Sequence, residues 1–298
     1  MVESFTPKFI ECLQNDQWNC QCAGCEGKPP LVTLGWGNQQ RRSAYLACDS
    51  AAHAILLPQD AFVLTKSEHT VTETSLLPEH VLRVNQHCIN LLVGNSQPLA
   101  VGLYTIGLLI SKYTSQEELA AIDLYAEQLA VLLDNGSLTE NFDMLPAIIR
   151  FKHEALQQLA QLDIRGNFTP QIATTIAIKM NEIRVLSTDY LQQMIDEWQS
   201  DERVCEALEA RYTQWVNLAL YHCYHYIFPG EEQKNWPREF YGLVLNLFHA
   251  WQLLALLISS GITPDDHQLS SLIAALNRAG PVNVTLDEPL LGALALLR

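Results

Sequence analysis

Three cysteines near the start of the chain are the residues best suited to chemistry. Cys20, Cys22 and Cys25 fall within the stretch NCQCAGCEG, and Cys12 lies a short distance upstream. Thiolates are soft, anionic donors that bind zinc or iron–sulfur clusters, and closely spaced ligands reduce the entropy cost of closing such a site. The pattern therefore suggests a metal site.

The spacing leaves three interpretations of these cysteines open. Cys22 and Cys25 form one CxxC pair without a second pair, whereas zinc sites usually use two. Ala23 and Gly24 allow the tight turn that converging sulfurs need, and Cys48 is predicted as an additional ligand. Inert or redox-labile thiols and a disulfide remain as alternatives. The predicted metal ligands are Cys12, Cys20, Cys22, Cys25 and Cys48.

A second group of reactive side chains lies in YHCYHYIF, residues 221–228. On a helix, Tyr221 and His225 share one face because they are four residues apart, and so do His222 and Tyr226. The two histidines could bind a metal or form a proton-handling patch with the tyrosines. The sequence pairs no carboxylate with them, so an aromatic core helix is the favoured interpretation.

The stretch LVTLGWGN, residues 31–38, places an apolar strand before Gly-x-Gly. This order is typical of the nucleotide-binding loop of Rossmann-type methyltransferases. The third glycine is absent, and Asp60 is a loose match for the acid that should follow on a second strand. We therefore favour a simple strand and turn.

Charge and hydrophobicity exclude some classes of partner. The chain carries 33 acidic against 18 basic side chains, a net charge of -15, which argues against nucleic-acid binding and favours a basic or lysine-bearing partner. The apolar stretch at residues 243–258 contains His249, Trp251 and Gln252, so it predicts a buried core helix and no membrane span. No signal peptide is recognisable at the start, which predicts a cytoplasmic location, where thiols outnumber disulfides.

The elements that must position these residues divide the chain into two predicted parts. Residues 1–75 form a small cysteine-containing segment with short strands at 31–34 and 61–65 and one short helix within ACDSAAHAILL, residues 47–57. The pattern is helical throughout residues 76–298.

Within the helical part, one long helix is predicted from Asp201 to Phe228 and another from Pro237 to Gly261. No repeat of fixed period is visible. The predicted fold class is therefore mainly α, an irregular multi-helix array with a small mixed N-terminal segment.

Three stretches resemble the flagellin lysine-N-methylase family. In SAYLACDSAAHAILLPQDAFVL, residues 43–64, Cys48 takes the place of the cysteine in the family's Ser-Leu-x-Leu-x-Cys-Pro-Glu-Ala-Ala run. Residues 81–109 are similar to the family's next apolar helices, and residues 224–254 to its Phe-Pro loop and buried helix. The family's adjacent Cys-Cys pair and its cysteine before Tyr-Pro-Arg are missing here.

The resemblance implies a protein-lysine N-methyltransferase that transfers methyl groups from S-adenosylmethionine to lysines of a flagellin-like protein. It also implies an iron–sulfur cluster, of the 4Fe-4S type, at the cysteines, with zinc as the second choice. Tyr221, Tyr224 and His225 are the candidate catalytic residues, since tyrosine hydroxyls can align an amine. A non-catalytic helical interaction module and a zinc-stabilised binding module are the alternative functions.

Overall fold

The computed structural model describes residues 2–15, 20–69, 75–94, 96–113, 119–280 and 286–298. Four strands form one small mixed sheet in the order β2-β3-β1-β4. β1 runs parallel to β3 and antiparallel to β4, and β2 and β3 form an antiparallel pair. The strands are β1 Val2–Pro7, β2 Leu31–Gly35, β3 Gln39–Ala44 and β4 Leu64–His69.

Helices make up most of the rest of the described chain, which confirms the predicted fold class. They include a central, strongly buried helix, α12, and a helix beside the sheet, α11. Their bounds are α1 Lys8–Asn15, α2 Asp49–Leu56, α3 Glu79–Val93, α4 Leu99–Tyr113, α5 Leu119–Asp134, α6 Ser137–Asp143, α7 Ile149–Gln161, α8 Pro170–Val185, α9 Thr188–Ser200, α10 Glu202–Glu209, α11 Tyr212–His225, α12 Trp236–Ser259, α13 Asp266–Ala279 and α14 Pro289–Leu297.

The predicted strand at 61–65 is displaced in the structure. Ala61 and Val63 belong to a turn, because their N–H groups donate to Pro58 and Asp60. The strand begins at Leu64, where the chain pairs with β1. β1 and β3 were not predicted, since neither contains a run of apolar residues, and both gain their stability from pairing within the sheet.

The predicted helix from Asp201 to Phe228 is two helices, α10 and α11. The chain turns at Arg211, whose guanidinium donates to the carbonyls of Ala207 at 3.1 Å and Pro264 at 2.7 Å. A tertiary contact to the loop before α13 therefore breaks a pattern that looks continuous in sequence.

α12 is the centre of the helical body and packs against α4, α7, α8, α10 and α14. Among the described residues, Gln233–Ser259 is the one helical stretch long and apolar enough to cross a membrane, and 72% of its most apolar part is buried inside the protein. This burial confirms the prediction of a core helix at 243–258.

The small sheet and α2 lie directly on the helical body. α2 packs against α11 and α13, and α11 also contacts β3. Buried apolar residues form one continuous cluster through both parts. The predicted boundary near residue 75 stays a prediction, but this packing is what places the cysteines of the N-terminal segment.

Candidate metal centre

The sulfur atoms of Cys20, Cys22, Cys25 and Cys48 all lie within 4.8 Å of one another. The Sγ atoms of Cys22 and Cys25 are 3.7 Å apart, and those of Cys20 and Cys48 are 3.9 Å apart. All eight cysteines, each within the described part of the chain, are free thiols. The disulfide interpretation is therefore not what the structure contains, and four predicted ligands converge.

Helix α2 points its N-terminus at this group. The main-chain N–H of Asp49, the first residue of the helix, donates to Sγ of Cys22 at 3.3 Å. Donors and the helix dipole at this end both stabilise negative charge, which four thiolates around a metal would carry. The main-chain N–H groups of Ser50 and Ala51 also favour the thiolate forms of Cys20 and Cys48, because they act to lower the pKa of these thiols.

The 20–25 loop sits on the backbone just before α2, and a glycine makes this approach possible. A Cβ atom on Gly24 would lie 1.9 Å from the carbonyl oxygen of Ala47, a distance that no side chain can occupy. The turn itself is closed by the N–H groups of Cys25 and Glu26, which donate to Cys22. Gly24 thus brings three of the cysteines to the helix that carries the fourth.

The thiols differ in acidity. Burial opposes ionisation of Cys20, but hydrogen bonds from the Ser50 side chain and from the N–H groups of Cys22 and Ser50 outweigh it and lower its pKa to about 6. Burial raises the pKa of the Cys25 and Cys48 thiols. A bound cation would favour the thiolate form of all four, because metal binding releases the thiol protons.

A buried ion pair supports the base of the site. Nη1 of Arg278, on α13, donates to Oδ1 of Asp49 at 2.7 Å and to the Ala47 carbonyl at 2.6 Å. Both charged side chains are largely buried. A cavity of about 580 Å³ opens beside Cys20 and Cys22 and is also lined by Arg278. Arg278 thereby ties the metal-site segment to the helical body.

The chemistry of the donor set fits a metal. At a zinc–sulfur distance of about 2.3 Å, tetrahedral coordination places neighbouring sulfurs about 3.8 Å apart, close to the separations seen here. A four-iron cluster lies between its thiolates and needs them farther apart than a single ion does. The four cysteines can therefore bind a metal, and their present spacing suits one tetrahedral ion.

Cys12 does not belong to the group. It lies on α1, is exposed to solvent, and is absent from the set of sulfurs within 4.8 Å. α1 packs on α2 and buries Phe9 and Ile10 completely, whereas Cys12 remains exposed on the same helix. Its predicted role as a ligand receives no geometric support.

The candidate catalytic residues Tyr221, Tyr224 and His225 all contact the small N-terminal segment. The hydroxyl of Tyr221 donates to the Ala44 carbonyl at 3.1 Å and accepts from the N–H of Leu46 at 3.2 Å. Burial strongly raises the pKa of the Tyr221 hydroxyl.

The other two candidates make similar contacts. The Tyr224 hydroxyl donates to the Phe5 carbonyl at 2.9 Å, and Nδ1 of His225 lies 2.7 Å from Oγ of Ser43. Burial raises the pKa of Tyr224 and lowers that of His225 to about 4. All three hold the sheet against α11, and their catalytic role stays a prediction.

The geometry also bears on two other sequence interpretations. His225 stacks on Tyr221 with ring centroids 4.8 Å apart, as expected for the aromatic core helix. The residues Gly35 and Gly37 lie at the turn of the antiparallel β2–β3 pair, where Trp36 donates its N–H to Gln39. This is the simple strand and turn, not a loop leading into a helix.

A buried polar group at the sheet has no signal in the sequence. Arg41 donates to Oδ1 of Asn85 at 3.0 Å and to the Tyr224 carbonyl at 3.2 Å, and burial lowers its pKa to about 10. Asn85 in turn donates to the carbonyls of Cys223 and Phe228. An Arg in a polar strand usually faces solvent, so only the packing of β3 on α11 reveals this network.

Fold and site together define a mainly helical protein that carries a four-cysteine centre at the N-terminus of a short helix. Residues 85–278 match the family model of the FliB lysine N-methylase C-terminal domain. The chain therefore belongs to the FliB lysine N-methylase family, which confirms the resemblance seen in the sequence. No curated protein and no solved structure matches the chain. The four cysteines precede the matched residues, so the match leaves their role open.

Proposed function

We propose that this chain is a protein-lysine N-methyltransferase that modifies a flagellin-like protein. The match of residues 85–278 to the FliB lysine N-methylase C-terminal domain carries this proposal. The net charge of -15 supports it, because an acidic surface attracts a lysine-bearing protein. The predicted cytoplasmic location would give access to flagellin before export.

S-adenosylmethionine supplies an electrophilic methyl group when it is bound. The protein must present the lysine amine uncharged and aligned, which a desolvated pocket does by lowering the amine pKa. The turn at Gly35 and Gly37 does not offer the strand-to-helix loop that nucleotide cofactors use. The cofactor site is therefore expected elsewhere, within the matched helical region.

We further propose that Cys20, Cys22, Cys25 and Cys48 hold one tetrahedrally coordinated metal ion. The sulfur separations of 3.7 and 3.9 Å support this, and so does the N–H of Asp49, which donates to Cys22 at the N-terminus of α2. The ion would join the 20–25 loop to α2 and so fix the N-terminal segment on α11 and α13. The iron–sulfur cluster implied by the resemblance is the competing occupant.

The methyltransferase proposal is tested by incubating metal-replete full-length chain with methyl-labelled S-adenosylmethionine and purified flagellin. Label is expected in flagellin lysines, identified by mass spectrometry, and flagellin with acetylated lysines is the control. No label in any flagellin would overturn the proposal and leave the non-catalytic interaction module.

The metal proposal is tested on protein purified without oxygen. Elemental analysis is expected to find one metal ion per chain. A brown protein with several irons and acid-labile sulfide per chain would contradict a single ion and show that the 20–25 loop opens to take a cluster. Metal-free protein that remains folded would exclude both occupants.

A further inference from the structure

A second cavity lies on the other side of the C-terminal end of α13, away from the cysteines. It has a volume of about 540 Å³ and is enclosed by the end of α11, the first half of α12 and the end of α13. This volume is in the range of sites for small molecules or single side chains, roughly 300–1,000 Å³. We call it the α11–α12 cavity. Its lining includes His222, Tyr226, Phe228, Tyr241, Asn246 and His249.

Three polar atoms in this cavity lack the partner that burial demands. Nε2 of His222, the hydroxyl oxygen of Tyr241 and Oδ1 of Asn246 are buried, and none has a hydrogen-bond partner among the described residues. Buried polar atoms are normally paired, and an unpaired one costs about 1–3 kcal/mol. His222 lies on α11 and the other two residues lie on α12, and all three line the same space. Each of these atoms can accept a hydrogen bond, so their natural partner is a ligand that donates hydrogen bonds.

The inside of the cavity is uncharged and aromatic. Burial lowers the pKa of His222 and His249 to about 4, so both rings are neutral near pH 7. Neutral His222 accepts a hydrogen bond at Nε2 when its proton is on Nδ1. The charged lining residues, Arg238 and Glu239, are exposed to solvent.

The ring faces add a second attraction. Tyr226, Phe228 and Tyr241 line the cavity, and Tyr226 is 55% exposed, which places it at the opening. Aromatic faces attract a cationic alkylamine, and an uncharged interior lowers the pKa of an amine that enters it. The hydrogen-bond acceptors, the aromatic ring faces and the uncharged interior of the cavity together favour an alkylamine over an anion as the ligand.

We propose that the α11–α12 cavity binds the side-chain amine of the substrate lysine, with Asn246 and His222 as its hydrogen-bond acceptors. This inference rests on the proposed lysine methylation. A neutral primary amine has two N–H donors and one lone pair. The two acceptors can bind both N–H groups and leave the lone pair free to attack the methyl group. The volume of the cavity, about 540 Å³, exceeds that of a lysine side chain.

Binding is tested by titration calorimetry with two short peptides and metal-replete full-length chain. The probes are acetyl-Gly-Lys-Gly-amide and the same peptide with norleucine, which keeps the alkyl chain and lacks the amine. The lysine peptide is expected to bind and the norleucine peptide to bind at least about tenfold more weakly, the effect of losing a buried hydrogen bond.

Variants locate the site. Asn246→Leu and His222→Phe each remove one hydrogen-bond acceptor while keeping a side chain of similar volume. Each variant is expected to bind the lysine peptide about tenfold more weakly than the parent does. Asn246→Asp keeps the acceptor and adds negative charge, so it should retain or tighten binding. Asn90→Leu, on the exposed face of α3, is the matched control and should bind as the parent does. Circular dichroism verifies that each variant is folded.

Several results overturn the assignment. Parent-like affinity in both Asn246→Leu and His222→Phe would remove the cavity from lysine binding. Absence of any binding of the lysine peptide by the parent would do the same. If S-adenosylhomocysteine displaces the peptide, and both variants bind S-adenosylhomocysteine more weakly than the parent does, the cavity belongs to the cofactor.

Failure of this inference and failure of the proposed function give different results. If flagellin is methylated while both variants bind and turn over like the parent, methylation stands and the cavity assignment falls. If flagellin takes up no label but the lysine peptide binds and the variants weaken it, the amine site stands and the enzymatic proposal falls.

Discussion

The sulfur atoms of Cys20 and Cys48 lie 3.9 Å apart although the two residues are 28 positions apart in the chain. The contact depends on the 20–25 loop lying against the residues before α2, and on α2 packing against α13. The cysteine centre therefore joins the 20–25 loop to α2, the helix that begins at Asp49.

Removing one sulfur should release the metal. Cys48→Ser leaves three thiolates, and we expect metal affinity to fall by roughly tenfold or more and the melting temperature to drop. Elemental analysis after gel filtration and a thermal melt measure both. Cys12→Ser is the matched control and should keep its metal, because that thiol lies outside the group.

Equal metal loss in Cys12→Ser and Cys48→Ser would mean that Cys12 is a ligand after all, as the sequence suggested. Chelator treatment of the parent should lower its melting temperature to that of Cys48→Ser. If the chelator strips metal without any such shift, the centre does not hold the segment together.

A methyl group at position 24 should open the cysteine loop. In Gly24→Ala the new Cβ meets the Ala47 carbonyl, so the loop must move away from α2. We expect metal affinity to fall by about tenfold or more, comparable to loss of a supporting contact around a metal site. Ala23→Ser adds one atom at the neighbouring exposed position and should bind metal normally. Competition with a chromogenic chelator gives the affinities, and equal values would contradict the close approach.

The hydroxyl of Tyr224 should matter for stability, because it donates to the Phe5 carbonyl in β1. Tyr224→Phe leaves this buried carbonyl without its donor, and we expect a loss of about 1–3 kcal/mol in the free energy of unfolding by urea. Tyr190→Phe, at a 63% exposed position on α9, is the control and should change little.

The same variant tests the candidate catalytic role of Tyr224. A residue that only anchors the sheet should leave methyl transfer per folded molecule within about threefold of the parent, since a general acid or base contributes roughly 10²–10⁴-fold. A fall of that larger size with unchanged stability would assign Tyr224 to catalysis. The comparison can be repeated for Tyr221→Phe, which loses its bonds to Ala44 and Leu46.

Acid should destabilise the protein through its buried histidines. Burial lowers the pKa of His249 to about 4, and an unfolded histidine titrates near 6.5. Between these values the unfolded state binds more protons, so the free energy of unfolding decreases as pH falls from about 6.5 to 4, and the full stability is present above about 6.5. His222 and His225 act in the same direction.

His249→Gln can keep a donor for the Ala155 carbonyl, which the ring contacts at 2.9 Å, and removes the titrating group. Urea unfolding is measured at intervals from pH 7.5 to 4, and unfolding of the variant should take up one proton fewer than unfolding of the parent. The acid-induced loss in the free energy of unfolding should therefore be about 3 kcal/mol smaller in the variant across this pH range. Identical slopes for the two proteins would show that His249 is protonated in the folded state.

The sequence by itself determined the helical class, because apolar periodicity and proline and glycine positions mark α12, α13 and α14 without any tertiary information. It also determined which residues could bind metal, since donor chemistry belongs to the side chain. The resemblance that pointed to the lysine N-methylase family rests on local stretches of the same kind.

The tertiary structure decided which donors meet. Cys48 joins the group and Cys12 does not, because the position of a sulfur depends on how the loop and α2 pack, not on spacing along the chain. Packing likewise breaks the helix at Arg211 and buries Arg41. It also leaves Oδ1 of Asn246 without a hydrogen-bond partner within the described part of the chain. Local pattern specifies an element through its own residues, whereas a site depends on contacts between elements far apart in sequence, which have no local signature.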